Sequence, residues 1–186
     1  MKINDNTKKA LILGVVCSIA YLAVYVSRNV LSTVTPALTG LGYEEEYIGT
    51  ISSSFFIFYA VGQLLNGIIG DKIKAKYMMC FGLLLAGVTN FIFPYLIDSS
   101  IGATLTYGMT GFFLSMIYAP MTKVVSESML PQHGTRCAVA YSFAASFGSP
   151  LAGALALIFT WQSAFVVSGG ILAVMAVLVF VIFGLL

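Results

Sequence analysis

Arg28 is a guanidinium set in an apolar run. Residues 10–26 are almost wholly apolar, and residues 30–38 carry no charge. A charge near a bilayer centre costs roughly 2.5–3.5 kcal/mol on insertion scales. Such a residue faces a watery cavity or an anion by default. Tyr21, Tyr25, Arg28 and Ser32 follow one another in steps of 4, 3 and 4, which puts them on one helical face. Together they suit phosphate or carboxylate. The guanidinium offers a planar fork of donors, and the phenol hydroxyls add orienting hydrogen bonds. The acidic candidates nearest in sequence, Glu44, Glu45, Glu46 and Asp71, all fall at span ends. A structural ion pair within the chain is therefore not expected; contact with an anionic solute is, with snorkelling or an ion pair to a partner domain as the alternatives.

Other polar stripes surround this face. The second apolar run offers Ser52, Tyr59, Gln63 and Asn66, with Phe56 completing the spacing. The fourth offers Tyr107, Gly111, Ser115, Tyr118 and Thr122, and the fifth Ser142, Ser146, Ser149 and Gly153. In lipid these groups need partners, because no bulk water is available. Interhelical hydrogen bonding is the competing role for each single Ser or Tyr. Tyr21, Tyr25, Tyr59, Gln63 and Tyr118 join Arg28 as candidate substrate-binding residues.

The elements that must position these side chains follow from composition. The chain has 186 residues, 59% hydrophobic and only 9% charged; soluble domains carry about 25% charged residues. A soluble-enzyme reading fails on that ground. A bilayer core of about 30 Å needs about 20 apolar helical residues. Six segments qualify, at 10–38, 47–70, 77–97, 101–122, 137–159 and 161–186. These Ala/Leu/Gly-rich runs exceed the ten-residue alternation of a transmembrane barrel. The expected class is all-α integral membrane: six transmembrane helices in one bundle. The long uncharged stretch from Cys137 must fold into two spans, with the break placed at Phe159–Gln162, where Trp161 can sit at an interface.

The charges predict an orientation. Lys2, Lys8, Lys9, Lys72, Lys74, Lys76, Lys123 and Arg136 all fall on one side of the six spans. The opposite loops hold Glu44, Glu45, Glu46 and Asp98, without Lys or Arg. The positive-inside rule places both termini in the cytoplasm, in a multi-pass protein of the cell membrane. Loops are expected at 39–46, 71–76, 98–100 and 123–136, the last with Pro131 and Gly134 as breakers and His133 solvated. Cys17, Cys80 and Cys137 are isolated, and no Cys or His cluster has metal-ligand spacing. No metal, cofactor or nucleic-acid partner is expected, and the start does not read as a cleavable signal peptide.

The segment Gly67-Ile-Ile-Gly70-Asp71-Lys72-Ile-Lys74-Ala-Lys76 resembles the G-x-x-x-D-[RK]-x-x-x-[RK] loop of the major facilitator superfamily. Lys74 stands where a Gly is often seen. Trp161-Gln-Ser-Ala-Phe165 is similar to the W-R-x-A-F opening of that family's sixth helix, with Gln162 for Arg. Within the superfamily, Tyr21-Leu-Ala-Val-Tyr25-Val-Ser-Arg28-Asn29 with Pro36-Ala-Leu38 resembles the first helix of the organophosphate:phosphate antiporters. Ile48-Gly49, Ser53, Tyr59-Ala60, Gly62-Gln63 and Gly67 continue the likeness. The resemblance implies that Arg28 binds the substrate anion. It also implies that Asp71, Lys72, Lys76 and Arg136 act at the cytoplasmic gate, against the simpler role of a solvated, topology-setting turn. The glycerol-phosphate and hexose-phosphate members carry a Lys where Gln63 stands and a His near the position of Ala144. One positive charge here, rather than two or three, leaves a monocarboxylate or other monoanion beside a phosphorylated metabolite.

The likeness spans nearly the whole chain but only the first half of a family member. The expectation is an N-terminal half with three-plus-three repeat architecture and no C-terminal bundle. The missing half would belong to a longer gene product or a partner chain. The expected function is half of a secondary active transporter for a small organic anion, working by alternating access. The alternatives are a membrane sensor related to sugar-phosphate carriers, or a nonfunctional truncated half. No nucleophile–base pair, metal-ligand set or P-loop supports an enzyme.

Overall fold

A computed structural model describes residues 5–70, 72–128 and 130–185, without the side chains of residues 5–7 and 128. The described chain is helical throughout: α1 (Asp5–Gly40), α2 (Glu45–Gly70), α3 (Ala75–Leu96), α4 (Ser100–Ser128), α5 (Pro131–Ser146), α6 (Gly148–Ile158) and α7 (Trp161–Leu185). Six spans are long and apolar enough to cross a membrane, α5 and α6 together making the fifth. The all-α, six-span architecture is thus present among the described residues.

The fifth span is not one straight helix. Phe147 ends α5 and starts α6 with φ −84° and ψ −8°. Pro150, just inside α6, cannot donate a backbone hydrogen bond and its ring crowds the preceding turn, so the helix breaks there. Three of the expected loops, 39–46, 71–76 and 123–136, are shorter than the sequence suggested, because the flanking helices run on into them. Pro131 opens α5 instead of ending a loop, because a proline at the first helical position lacks only an N–H that would be unpaired anyway. His133 therefore sits in the first turn of α5 and is half-buried, not in a solvated loop. Glu45 and Glu46 form the first turn of α2, where carboxylates complement the helix dipole.

The packing has a two-fold logic. α1 packs on α5, α6 and α7, while α4 packs on α2 and α3, and α3 packs on α7. Exchanging spans one and four, two and five, and three and six returns the same main pairings. Small residues set the crossings, as expected where lipid offers no hydrophobic drive between helices. A Cβ on Gly87 of α3 would stand 2.8 Å from the Gly169 carbonyl oxygen of α7, and the converse distance is also 2.8 Å. Beside that crossing, the Asn90 amide donates to Ser27 Oγ at 2.7 Å and reaches Ser168 Oγ at 3.5 Å. Asn66 donates to Ser115 Oγ at 2.7 Å, tying α2 to α4. Phe55, Phe93, Tyr107 and Phe165 meet at the centre, with Phe93 and Phe165 centroids 4.5 Å apart.

At the end of the bundle holding the α1–α2 and α3–α4 turns, Tyr43 donates its hydroxyl to Asp98 at 2.6 Å. That bond and the carboxylate charge push the Tyr43 phenol up to about 12. Tyr47 donates to the Ile97 carbonyl oxygen. Two short turns are thereby latched together.

Candidate functional site

Arg28 lies half-buried on α1, and its guanidinium is boxed by aromatic rings. Its central carbon is 5.5 Å from the Tyr25 centroid, 5.2 Å from Phe56 and 5.5 Å from Tyr59. These are cation–π distances, and each such contact is worth about 0.5–2 kcal/mol depending on desolvation. Among the described residues no carboxylate pairs with it. Tyr25 comes from α1, and Phe56 and Tyr59 come from α2, where their spacing of three puts them on one face. Phe56 is 49% exposed, so the box opens outward rather than into the core.

The helical register carries a second group of rings next to the box. Tyr21 meets Tyr25, Tyr118 and Tyr141 at centroid separations of 5.0, 5.7 and 5.6 Å. Tyr118 of α4 and Tyr141 of α5 are 6.3 Å apart. Tyr118 is 41% exposed, whereas Tyr141 is buried. Gln63 is exposed and donates Nε2 to the Tyr59 hydroxyl at 3.3 Å. All six candidate binding residues, Arg28, Tyr21, Tyr25, Tyr59, Gln63 and Tyr118, therefore share one contiguous patch.

Behind this patch the floor is neutral and hydrogen-bonded. Tyr107 is buried and donates to the Arg28 carbonyl oxygen at 3.4 Å. Asn29 returns its amide to the Tyr25 carbonyl at 2.7 Å. Chemically the patch offers one permanent cation, held by ring faces, with phenol and amide donors nearby. That inventory suits recognition of an anion.

Two members of the patch were not singled out as binding residues from sequence. Phe56 was counted only for its helical spacing. Tyr141 lies off the polar stripe of Ser142, Ser146, Ser149 and Gly153 that the sequence offers on the fifth span. Those three serines are exposed, and Ser142 and Ser146 bond back to their own helix. The buried face is Cys137, Tyr141, Gly148 and Ala152. The signal available in the sequence was the i, i+4 pair Cys137 and Tyr141.

Of the described gate candidates, Lys76 and Arg136 lie in different surroundings. Asp71 lies outside the described residues, and Lys72 is exposed. The Lys76 ammonium sits 5.0 Å from the Tyr77 centroid and 5.2 Å from Phe180 of α7. Arg136 lines a different region, a groove of about 440 Å³ between α1 and α5 with Leu11, Gly14 and His133.

The chain is 27% identical over 110 residues to a probable hexose phosphate transport protein of Chlamydia pneumoniae, covering 59% of this chain and 24% of that protein. It is 29% identical over 97 residues to the membrane sensor protein UhpC of Salmonella typhimurium, covering 51% and 22%. It is 23% identical over 155 residues to the glycerol-3-phosphate transporter of Bacillus subtilis, covering 79% and 35%. The matched stretches thus span about a quarter to a third of the length of these curated relatives. The sequence pattern of the Major Facilitator Superfamily matches residues 17–185, and the chain, a multi-pass membrane protein, belongs to that family.

Proposed function

We propose that the chain forms half of a secondary transporter for a small organic anion, with Arg28 as the anion's cationic partner. The observation that carries this reading is a guanidinium within the first candidate span, boxed by Tyr25, Phe56 and Tyr59 on an open face without a carboxylate partner among the described residues. The printed roles of the hexose phosphate and glycerol-3-phosphate relatives favour a phosphorylated solute. The exposed Gln63 contributes no second charge, which keeps a monoanion in view. A second six-helix bundle would complete the pathway, with the solute between the two bundles and alternating access by rocking. Calorimetric titration of this chain reconstituted in nanodiscs together with a second six-helix bundle, with inorganic phosphate, glycerol 3-phosphate and lactate, tests the reading. Saturable binding of one of them supports it, and no binding of any removes it.

The sensor relative supports a second reading, in which the same pocket binds the anion and signals to a partner. Exchange of labelled anion across vesicles containing this chain and a second bundle separates the two. A carrier exchanges; a sensor binds without exchange.

The eight-to-zero basic bias supports cytoplasmic termini in a cell membrane. Cysteines engineered at Glu45 and Lys74 are expected to label from outside and inside respectively in sealed right-side-out vesicles. External labelling at position 74 with protection at 45 would invert the topology.

The gate role of Asp71, Lys72, Lys76 and Arg136 stands as a proposal on the sequence pattern of the second-to-third helix turn. Asp71→Asn is expected to slow exchange more than it weakens binding. An unchanged exchange rate would leave Asp71 as a turn residue.

A further inference from the structure

The box around Arg28 is built from two helices that make little direct contact with each other. Tyr25 comes from α1, which packs on α5, α6 and α7; Phe56 and Tyr59 come from α2, which packs on α4. The shape of the box is therefore set by whatever stands behind each helix.

Behind Tyr25 stands Gly148, the first residue after the break in the fifth span. A Cβ on Gly148 would overlap the Tyr25 Cβ and lie 2.9 Å from its carbonyl carbon and 3.2 Å from its Cα. Behind the Phe56 wall stands Gly111 of α4. A Cβ there would overlap the carbonyl oxygen of Phe55, the neighbouring residue, and lie 3.2 Å from the Phe55 Cα. Both contacts fall on main chain or on a Cβ, atoms that cannot rotate aside, so an added methyl must move a whole helix segment. Gly153 of α6 and Gly67 of α2 differ, since a Cβ on either would meet nothing within 4 Å.

We propose that Gly148 and Gly111 are positioning residues for the anion site: together they set the separation of the two aromatic walls that hold the Arg28 guanidinium. The proposal rests on the reading of Arg28 as the anion's partner. Two glycines that touch neither the guanidinium nor the anion then govern affinity, because a forked donor loses bidentate geometry with small displacements.

Arg28 and Arg136 are the only arginines in the chain, so ¹⁵N-arginine labelling in nanodiscs gives two side-chain Nε–H signals. Ring currents from Tyr25, Phe56 and Tyr59 mark the Arg28 signal, and Arg136→Lys assigns the other. Gly148→Ala and Gly111→Ala are each expected to move the Arg28 signal without ligand and to weaken its titration by inorganic phosphate about tenfold, a factor worth about 1.4 kcal/mol. The Arg136 signal should stay in place, and Gly153→Ala should match wild type. Pro150→Ala adds no atom behind Tyr25 but relaxes the break that seats Gly148. It is expected to move the Arg28 signal too, and it keeps the test available if either alanine variant fails to fold. Wild-type Arg28 signals and affinity in the folded variants would overturn the proposal. A wild-type protein whose Arg28 signal ignores phosphate would overturn the anion reading instead, while the ligand-free signal would still report on the positioning.

Discussion

Arg28→Ala is expected to reduce anion affinity by about 30-fold or more in a protein that still folds. Truncating one member of a desolvated, hydrogen-bonded charge pair costs about 2–5 kcal/mol, and 2 kcal/mol is about 30-fold. Folding should survive, since the guanidinium is held by ring faces and not by an ion pair among the described residues. Arg28→Lys separates charge from geometry. It keeps the positive charge and some attraction to the rings but loses the planar fork, so affinity is expected to fall about tenfold. Gln63→Lys changes the opposite quantity. Gln63 already reaches the Tyr59 hydroxyl at 3.3 Å, so an ammonium there would add a second charge beside the box. Affinity for phosphate dianions should rise relative to lactate. Calorimetry on each variant decides the matter; unchanged affinity in folded Arg28→Ala would make Arg28 a structural residue.

Much of this was legible in the sequence because the bilayer makes strong demands. Spans of about 20 apolar residues must be helices, since backbone groups in lipid have no other partners. The clustering of Tyr21, Tyr25 and Arg28 was legible because they share one face through local spacing alone. What was not legible depends on contacts between helices. Helix spacing places Ser142, Ser146 and Ser149 on a common face, but it does not say whether that face is turned to the bundle. Tyr141 and the broken fifth span turn it away. Phe56 looked like a filler in a polar stripe, and only the approach of α1 makes its ring a wall for Arg28. Pro131 and Gly134 carry the same residue types as a loop, yet Pro131 occupies the one helical position where proline is favoured.

Gly169→Ala is expected to destabilise the bundle by about 1–3 kcal/mol, the usual range for overpacking, whereas the adjacent Gly170→Ala should not. The contrast is geometric. A Cβ at Gly169 would stand 2.8 Å from the Gly87 carbonyl oxygen and 3.3 Å from the Asn90 Cβ, while one at Gly170 would meet nothing within 4 Å. Separating α7 from α3 would also stretch the Asn90 contact to Ser168. Interhelical hydrogen bonds in membranes average about 0.6 kcal/mol and reach about 1.7 kcal/mol, so this loss adds to the steric cost. Gly87→Ala should behave like Gly169→Ala, because the two glycines face the same crossing from opposite sides. Their effects should not add, since once either methyl has forced the helices apart the other finds room. Unfolding midpoints in one detergent for Gly87→Ala, Gly169→Ala, the double variant and Gly170→Ala give the answer. Equal stability at positions 169 and 170 would show that this crossing tolerates a methyl and that the close approach of α3 and α7 is not what holds the two triplets of spans together.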